Sequence, residues 1–264
     1  LILWKDLMAA CVAAVAAQAA GVILFDRMVI KRLSGIQWEW RRDRLLPLTW
    51  ETILLFVSVF LDFYIFSASK YAIDACMDDV ASGYFNLIFM PTSMINLAAG
   101  FVIRPVLTFL TDDWNQKRFS RFARLLLKIS GVIAGLSTAA VVLAWILGKP
   151  MLGIMERLLG SAYTGSLTVY HSSFVVIVLG GGFYAFLNLY YYVLVIIRRQ
   201  KVIFGIYFIL TLLAAWLAPR LVAGYGIPGA AWAYVSLMVV MAAGFVAGAW
   251  ILVLHCGNKG ECSA

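Results

Sequence analysis

Charge is scarce in this sequence. Asp, Glu, Lys and Arg together make up 13% of its 264 residues, against about 25% in a soluble domain. So little charge excludes a water-facing surface over most of the chain. Cysteine is rare as well: the four residues Cys11, Cys76, Cys256 and Cys262 form no C-x-x-C pair, and no metal site is expected from them. There is no Gly-rich phosphate loop, no H-E-x-x-H, no G-x-S-x-G and no N-x-[ST] sequon. No cofactor is expected, and nothing marks an enzyme. The acidic trio Asp74, Asp78 and Asp79 is the sole cluster that a membrane-embedded glycan enzyme would have to use, and like-charged runs of this kind usually stay solvated.

What is present is apolar. Hydrophobic residues account for 64% of the chain. A span needs about 20 apolar residues to cross the hydrocarbon, and runs of that order recur at 7–25, 50–69, 84–110, 125–147, 169–197, 202–218 and 230–254. They do not alternate as barrel strands do, and lipid leaves helices and closed barrels as the two ways to satisfy the backbone. The expected fold is therefore all-α, a polytopic bundle of about seven transmembrane helices. Ala17-Gln18-Ala19 fits a signal-peptidase pattern, but the apolar run continues past it and Asp6 sits among the residues before it. Residues 150–159 are expected to form a separate short interfacial helix.

Net charge is +8, and the cations are not spread evenly. The first linker holds Arg27, Lys31, Arg32, Arg41, Arg42 and Arg44; the second Lys70; the third Lys117, Arg118, Arg121 and Arg124; the fourth Lys149 and Arg157; the fifth Arg198, Arg199 and Lys201; the sixth Arg220. The counts run 6, 1, 4, 2, 3, 1, the alternation that the positive-inside rule produces. Residue Leu1 is thereby expected outside, and the tail 255–264 in the cytoplasm. The surplus of cations fits anionic membrane lipids rather than nucleic acid. Trp38 and Trp40 among Arg41, Arg42 and Arg44 suggest an amphipathic stretch in the headgroup layer. An odd number of spans and a first residue other than Met lead to the expectation that further spans precede this segment.

A few residues stand out against the apolar background. Asp62 lies within the second run, where a carboxylate must face a cavity or a partner helix; it is a candidate proton or cation site, or a buried structural Asp. Glu51 shares its helix face, eleven residues earlier, but sits near the inner end where solvated charges are common. Arg104 lies in the third run: its planar fork suits phosphate, and the alternative is snorkelling to the nearer interface. Lys70 is either an outer anchor paired with Asp74 or a substrate contact. Pro91 and Pro105 should kink the third helix. Gly180, Gly181 and Gly182 mark a close helix approach or a bend in the fifth. His171 reads as interfacial, and Tyr190, Tyr191 and Tyr192 as an inner aromatic belt.

Several segments resemble a known family when taken in order: Asp62-Phe63-Tyr64-Ile65-Phe66, then Ser82-Gly83-Tyr84-Phe85-Asn86, Arg104-Pro105-Val106-Leu107, Leu159-Gly160-Ser161-Ala162-Tyr163, Arg198-Arg199-Gln200-Lys201 and Tyr225-Gly226-Ile227-Pro228-Gly229-Ala230-Ala231. Together they are similar to the second half of polysaccharide flippases of the multidrug/oligosaccharidyl-lipid/polysaccharide exporter superfamily. One departure is Phe63, where relatives often carry a basic residue after the acidic one. The resemblance implies two six-helix lobes around a central cavity. Residues 1–30 would hold the last span of the first lobe, 31–47 a basic cytoplasmic linker, 48–254 the six-span second lobe and 255–264 a cytoplasmic tail. It further implies alternating-access flipping of a polyprenyl-diphosphate-linked oligosaccharide across the cytoplasmic membrane. Arg104, Lys70 and Glu51 are the cavity candidates, Asp62 the ion-coupling candidate, and Pro91, Pro105 and Gly180 to Gly182 the hinge candidates. A cation-coupled multidrug exporter of the same fold and a seven-span receptor are the alternatives.

Overall fold

A computed structural model describes residues 7–26, 28, 42–159 and 167–259. Among them 96% are helical and none lies in a strand. The elements are α1 (Leu7–Gly21), a π-helical turn (Val22–Asp26), α2 (Arg42–Cys76), α3 (Asp79–Asn115), α4 (Phe119–Leu159), a 3-10 turn (Leu167–Tyr170), α5 (His171–Ile196) and α6 (Gln200–Lys259). The chain divides into two compact units, Leu1–Thr49 and Trp50–Ala264. In the first, the apolar segment Val12–Phe25 is helical and its side chains are exposed. Residues 31–41, which carry most of the expected amphipathic stretch, and residues 160–163 of the outer-loop motif lie outside the described residues.

Five helices of the second unit are long and apolar enough to cross a membrane. Their outward faces carry large apolar side chains, among them Phe101 at 71%, Trp145 at 68% and Ile209 at 68% exposure. Water does not tolerate so much contiguous apolar surface, and hydrocarbon does. This is an integral membrane protein built as an all-α polytopic bundle.

The helix α6 has 60 residues, about 90 Å at 1.5 Å per residue, roughly three hydrocarbon thicknesses. It is not one rod. Gly226 has φ 62° and ψ −136°, a conformation reserved in practice for glycine. Pro228 then opens the second half, where a proline loses no helical donor. Gly229 has no room for a Cβ, which would collide with the carbonyl of Leu221. These constraints explain the Gly226-Ile227-Pro228-Gly229 string physically. The halves fold back on each other: Tyr207 and Phe245 have ring centroids 5.0 Å apart, and a Cβ at Gly248 would meet Val202 and Ile206 at 3.7 Å. The break itself lies beside Met77 in the α2–α3 turn. Thus α6 crosses twice, and its break shares an end of the bundle with the α2–α3 turn.

The α3–α4 and α5–α6 turns lie at the other end and are built alike. In the first, Lys117 has φ 55°, the Lys117 N–H donates to the Trp114 carbonyl at 3.0 Å, and the Arg118 N–H to the Asp113 carbonyl at 2.9 Å. In the second, Arg198 has φ 61°, its N–H donates to the Val195 carbonyl at 3.0 Å, and the Arg199 N–H to the Leu194 carbonyl at 3.1 Å. Both are Schellman closures, in which the left-handed position ordinarily falls to glycine; here it is basic both times.

At the centre stands α5, with 61% of its span buried against 17–39% for the other four. Its three glycines each admit a different helix. A Cβ at Gly180 would meet the Tyr234 ring of α6 at 2.6 Å, one at Gly181 the Thr92 backbone of α3 at 3.3 Å, and one at Gly182 the Ser137 side chain of α4 at 2.8 Å. The helix stays regular through all three.

Two expectations need correcting. Residues 150–159 are not a separate interfacial helix but the continuation of α4 through Pro150; the carbonyl that the proline frees, at Ile146, lies near the end of the span, where it is readily solvated. Tyr190, Tyr191 and Tyr192 do not form a belt. Tyr190 is 3% exposed and its hydroxyl is 3.1 Å from Ser130 Oγ, while Tyr191 packs on Tyr207 and Phe245. Consecutive residues step by 100° around a helix, so three in a row cannot share one lipid-facing stripe. The helix α3 runs without a break from Asp79 to Asn115, with Pro91 and Pro105 inside it.

Two outcomes follow. With Cys11, Cys256 and Cys262 replaced by Ser, an impermeant maleimide should label Cys76 and Tyr225→Cys from one side of a sealed vesicle, and Gln116→Cys from the other. Labelling of Tyr225→Cys from the Gln116 side would rule out the double crossing of α6. Separately, Gly180→Ala should destabilise the bundle by about 1–3 kcal/mol through overpacking against Tyr234, whereas Gly131→Ala, which meets nothing within 4 Å, should not; thermal unfolding in detergent compares the two.

Candidate functional site

Several polar side chains inside the bundle follow one another in a line. Its first member is Asp62 on α2. Ser58, Asp62, Ile65 and Ser69 recur at helical spacing on the face that the bundle covers, so the helix that buries Ile65 also carries the carboxylate inward. Asp62 Oδ2 accepts a hydrogen bond of 2.8 Å from the Tyr184 hydroxyl of α5. Tyr207 of α6 also brings its hydroxyl towards this carboxyl, and Tyr191 and Tyr234 lie within electrostatic reach of it. Yet Asp62 Oδ1 is buried without a hydrogen-bond partner. A buried polar atom left open is costly; a bound cation, or a proton shared with a neighbouring oxygen, would satisfy it.

One helical turn beyond Tyr184 lies Asn188. Its Nδ2 donates to Asn96 Oδ1 of α3 at 2.8 Å and to the Tyr184 carbonyl at 3.1 Å. Asn96 and Asn188 line a cleft of about 240 Å³ together with Ser93, Gly100 and Arg104 of α3 and Tyr192 of α5. Residues 93, 96, 100 and 104 repeat at three and four, which puts them on one stripe. Arg104 Nε comes within 4.0 Å of the point a Cβ would occupy at Gly100. The side chain therefore leans back along the helix toward the asparagines, the direction in which helical Cα–Cβ bonds tilt. Snorkelling would take it the opposite way, to the nearer end of the span.

The structure thus joins Asp62 to the Arg104 cleft through Tyr184 and Asn188, about 12 Å along α3 separating Asn96 from Arg104. Lys70 does not join them. It places its ammonium 4.4 Å over the Phe89 ring, and Asp74 accepts a hydrogen bond from Ser82 Oγ. Glu51 lies on α2, and its side chain is outside the described residues. His171 packs its ring against Gly148, with Nε2 buried and unpartnered. Sequence reasoning missed Ser93, Asn96, Tyr184, Asn188 and Tyr192. The signal for two of them was available: an asparagine inside an apolar run must find a partner, as a charge must.

Among the described residues no group of His, Cys, Asp and Glu is placed to hold a metal ion. No known protein family, curated protein or solved structure matches the chain.

The Asp62–Tyr184 bond is testable by a double-mutant cycle on unfolding in mixed micelles, with Asp62→Asn, Tyr184→Phe and the pair. A coupling energy of about 0.6–2 kcal/mol is expected. Additive losses would mean that the two side chains do not interact.

Proposed function

We propose that this chain belongs to a transporter that flips a polyprenyl-diphosphate-linked oligosaccharide across the cytoplasmic membrane by alternating access, with its C-terminus on the cytoplasmic side. The observation that carries the reading is Arg104. A permanently charged guanidinium in a membrane-spanning helix, directed away from the nearer end and grouped with Ser93, Asn96 and Asn188, is poorly suited to face hydrocarbon. It suits a water-filled cavity between two lobes, of which the six crossings after Trp50 would be one. The flat fork of the guanidinium can engage two diphosphate oxygens at once.

Other features support the same reading. The motif order along residues 62–231 is that of the exporters the sequence resembles. Asp62, with an open oxygen amid tyrosines, is the coupling residue in this scheme, taking a proton or sodium ion. Its link through Asn188 to the Arg104 cleft gives ion binding a physical route to the substrate site. Lys70 and Glu51 have secondary places here, Lys70 because Phe89 engages it. A carboxylate with an open oxygen inside the bundle also suits a cationic substrate, so a cation-coupled multidrug exporter of the same fold is the second reading.

Transport of radiolabelled lipid-linked sugar and of a cationic dye, measured in membranes carrying the full protein, separates the two. Arg104→Ala should lower sugar flipping by about 10-fold or more, the worth of a charge-assisted hydrogen bond. Arg104→Lys should recover part of it. Asp62→Asn should remove the dependence on an ion gradient. Dye export without sugar flipping, or flipping untouched in Arg104→Ala, would overturn the proposal.

A further inference from the structure

We infer that the turn joining α3 to α4 is a binding site for the phosphate headgroup of an anionic membrane lipid. The inference rests on the membrane fold and stands apart from the transport reading.

A cleft of about 580 Å³ opens at this turn. Arg118, Arg121, Arg124 and Lys128 line it against Asp112 and Asp113, four positive charges less two negative, a net of +2. The Asp113 side chain is 8% exposed, and its Oδ2 is 3.5 Å from Arg121 Nε, whereas the Arg121 side chain is 68% exposed. The buried carboxylate thus pins Arg121 through Nε and leaves both Nη groups for a ligand. Among the described residues, Arg118, Arg124 and Lys128 carry no ion pair. Residues 121, 124 and 128 follow one helix face, so these cations repel one another until an anion sits between them.

Two features select a lipid over a free phosphate. The cleft lies at the end of two membrane-crossing helices, where headgroups collect. Its wall also includes Phe109, 61% exposed, and Leu125, apolar surface running from the cations toward the hydrocarbon along the path of an acyl chain. A headgroup held by the arginines would leave its chains lying on these side chains.

Native mass spectrometry of the full protein in detergent, titrated with phosphatidylglycerol, phosphatidylcholine or inorganic phosphate, tests the site. The wild type should retain one phosphatidylglycerol per chain in preference to phosphatidylcholine, and phosphate should compete weakly. Arg118→Gln/Arg124→Gln/Lys128→Gln leaves the Arg121–Asp113 pair intact and should weaken that first site by about 100-fold, from about 1 kcal/mol per cation near an anionic headgroup. Arg198→Gln/Arg199→Gln/Lys201→Gln removes the same charge from the sister turn, outside this cleft, and should leave the site within about 2-fold. Equal losses in both variants would mean diffuse electrostatics. Tight binding of phosphate alone would mean a free-anion site. Lack of preference over phosphatidylcholine would mean no site. Any of the three overturns the inference.

Discussion

Three helices meet the middle of α5 closely, α6 and α4 at a separation that only glycine permits and α3 at one that leaves a side chain little room. Side chains at 180, 181 and 182 would have to occupy space already filled by Tyr234, Thr92 and Ser137. Lipid supplies no hydrophobic force to pull helices together, so association in a membrane depends on close van der Waals contact and interhelical hydrogen bonds. Successive residues step by 100°, and three consecutive glycines therefore serve three directions at once. That makes α5 the hub through which α3, α4 and the second half of α6 are held in register.

The polar line exists because of that register. Tyr184 sits two residues after Gly182, and Asn188 one turn further. Their partners Asp62 and Asn96 are within bonding distance because the glycines have already set the spacing between backbones. In a low-dielectric interior such bonds are strong and mismatches are expensive. A small shift of α3 or α2 against α5 would break Asn96–Asn188 or Asp62–Tyr184 rather than stretch it. The interior is therefore suited to discrete rearrangement more than to gradual deformation.

The class of fold was legible because hydrocarbon thickness imprints itself on run length. Helix ends were not. The run at 50–69 belongs to a helix spanning Arg42–Cys76, since helices continue into water where hydropathy no longer follows them. Pro150 was misread for a related reason: a proline ends a pattern more reliably than it ends a helix. The position of Asp62 on a buried face followed from its depth and neighbours, and the structure agrees. The lean of Arg104 did not follow, because it depends on the empty space at Gly100, four residues back. Tyr184 was invisible among so many aromatics, since what distinguishes it is the partner across the interface and not its own surroundings in sequence; Tyr192 was read as part of a belt.

The two Schellman turns leave one further mark. At Lys117 and Arg198 a residue bearing a Cβ occupies a left-handed conformation that costs about 1–2 kcal/mol relative to glycine. Yet those same side chains put positive charge beside the exposed carbonyls of a helix C-terminus, where it is favourable, and hold it at one face of the bilayer. Relief of backbone strain and retention of charge thus pull the same two positions in opposite directions. The bundle carries its sense of direction at the expense of some of its firmness, and the conflict is confined to the two three-residue turns at one end of the bundle.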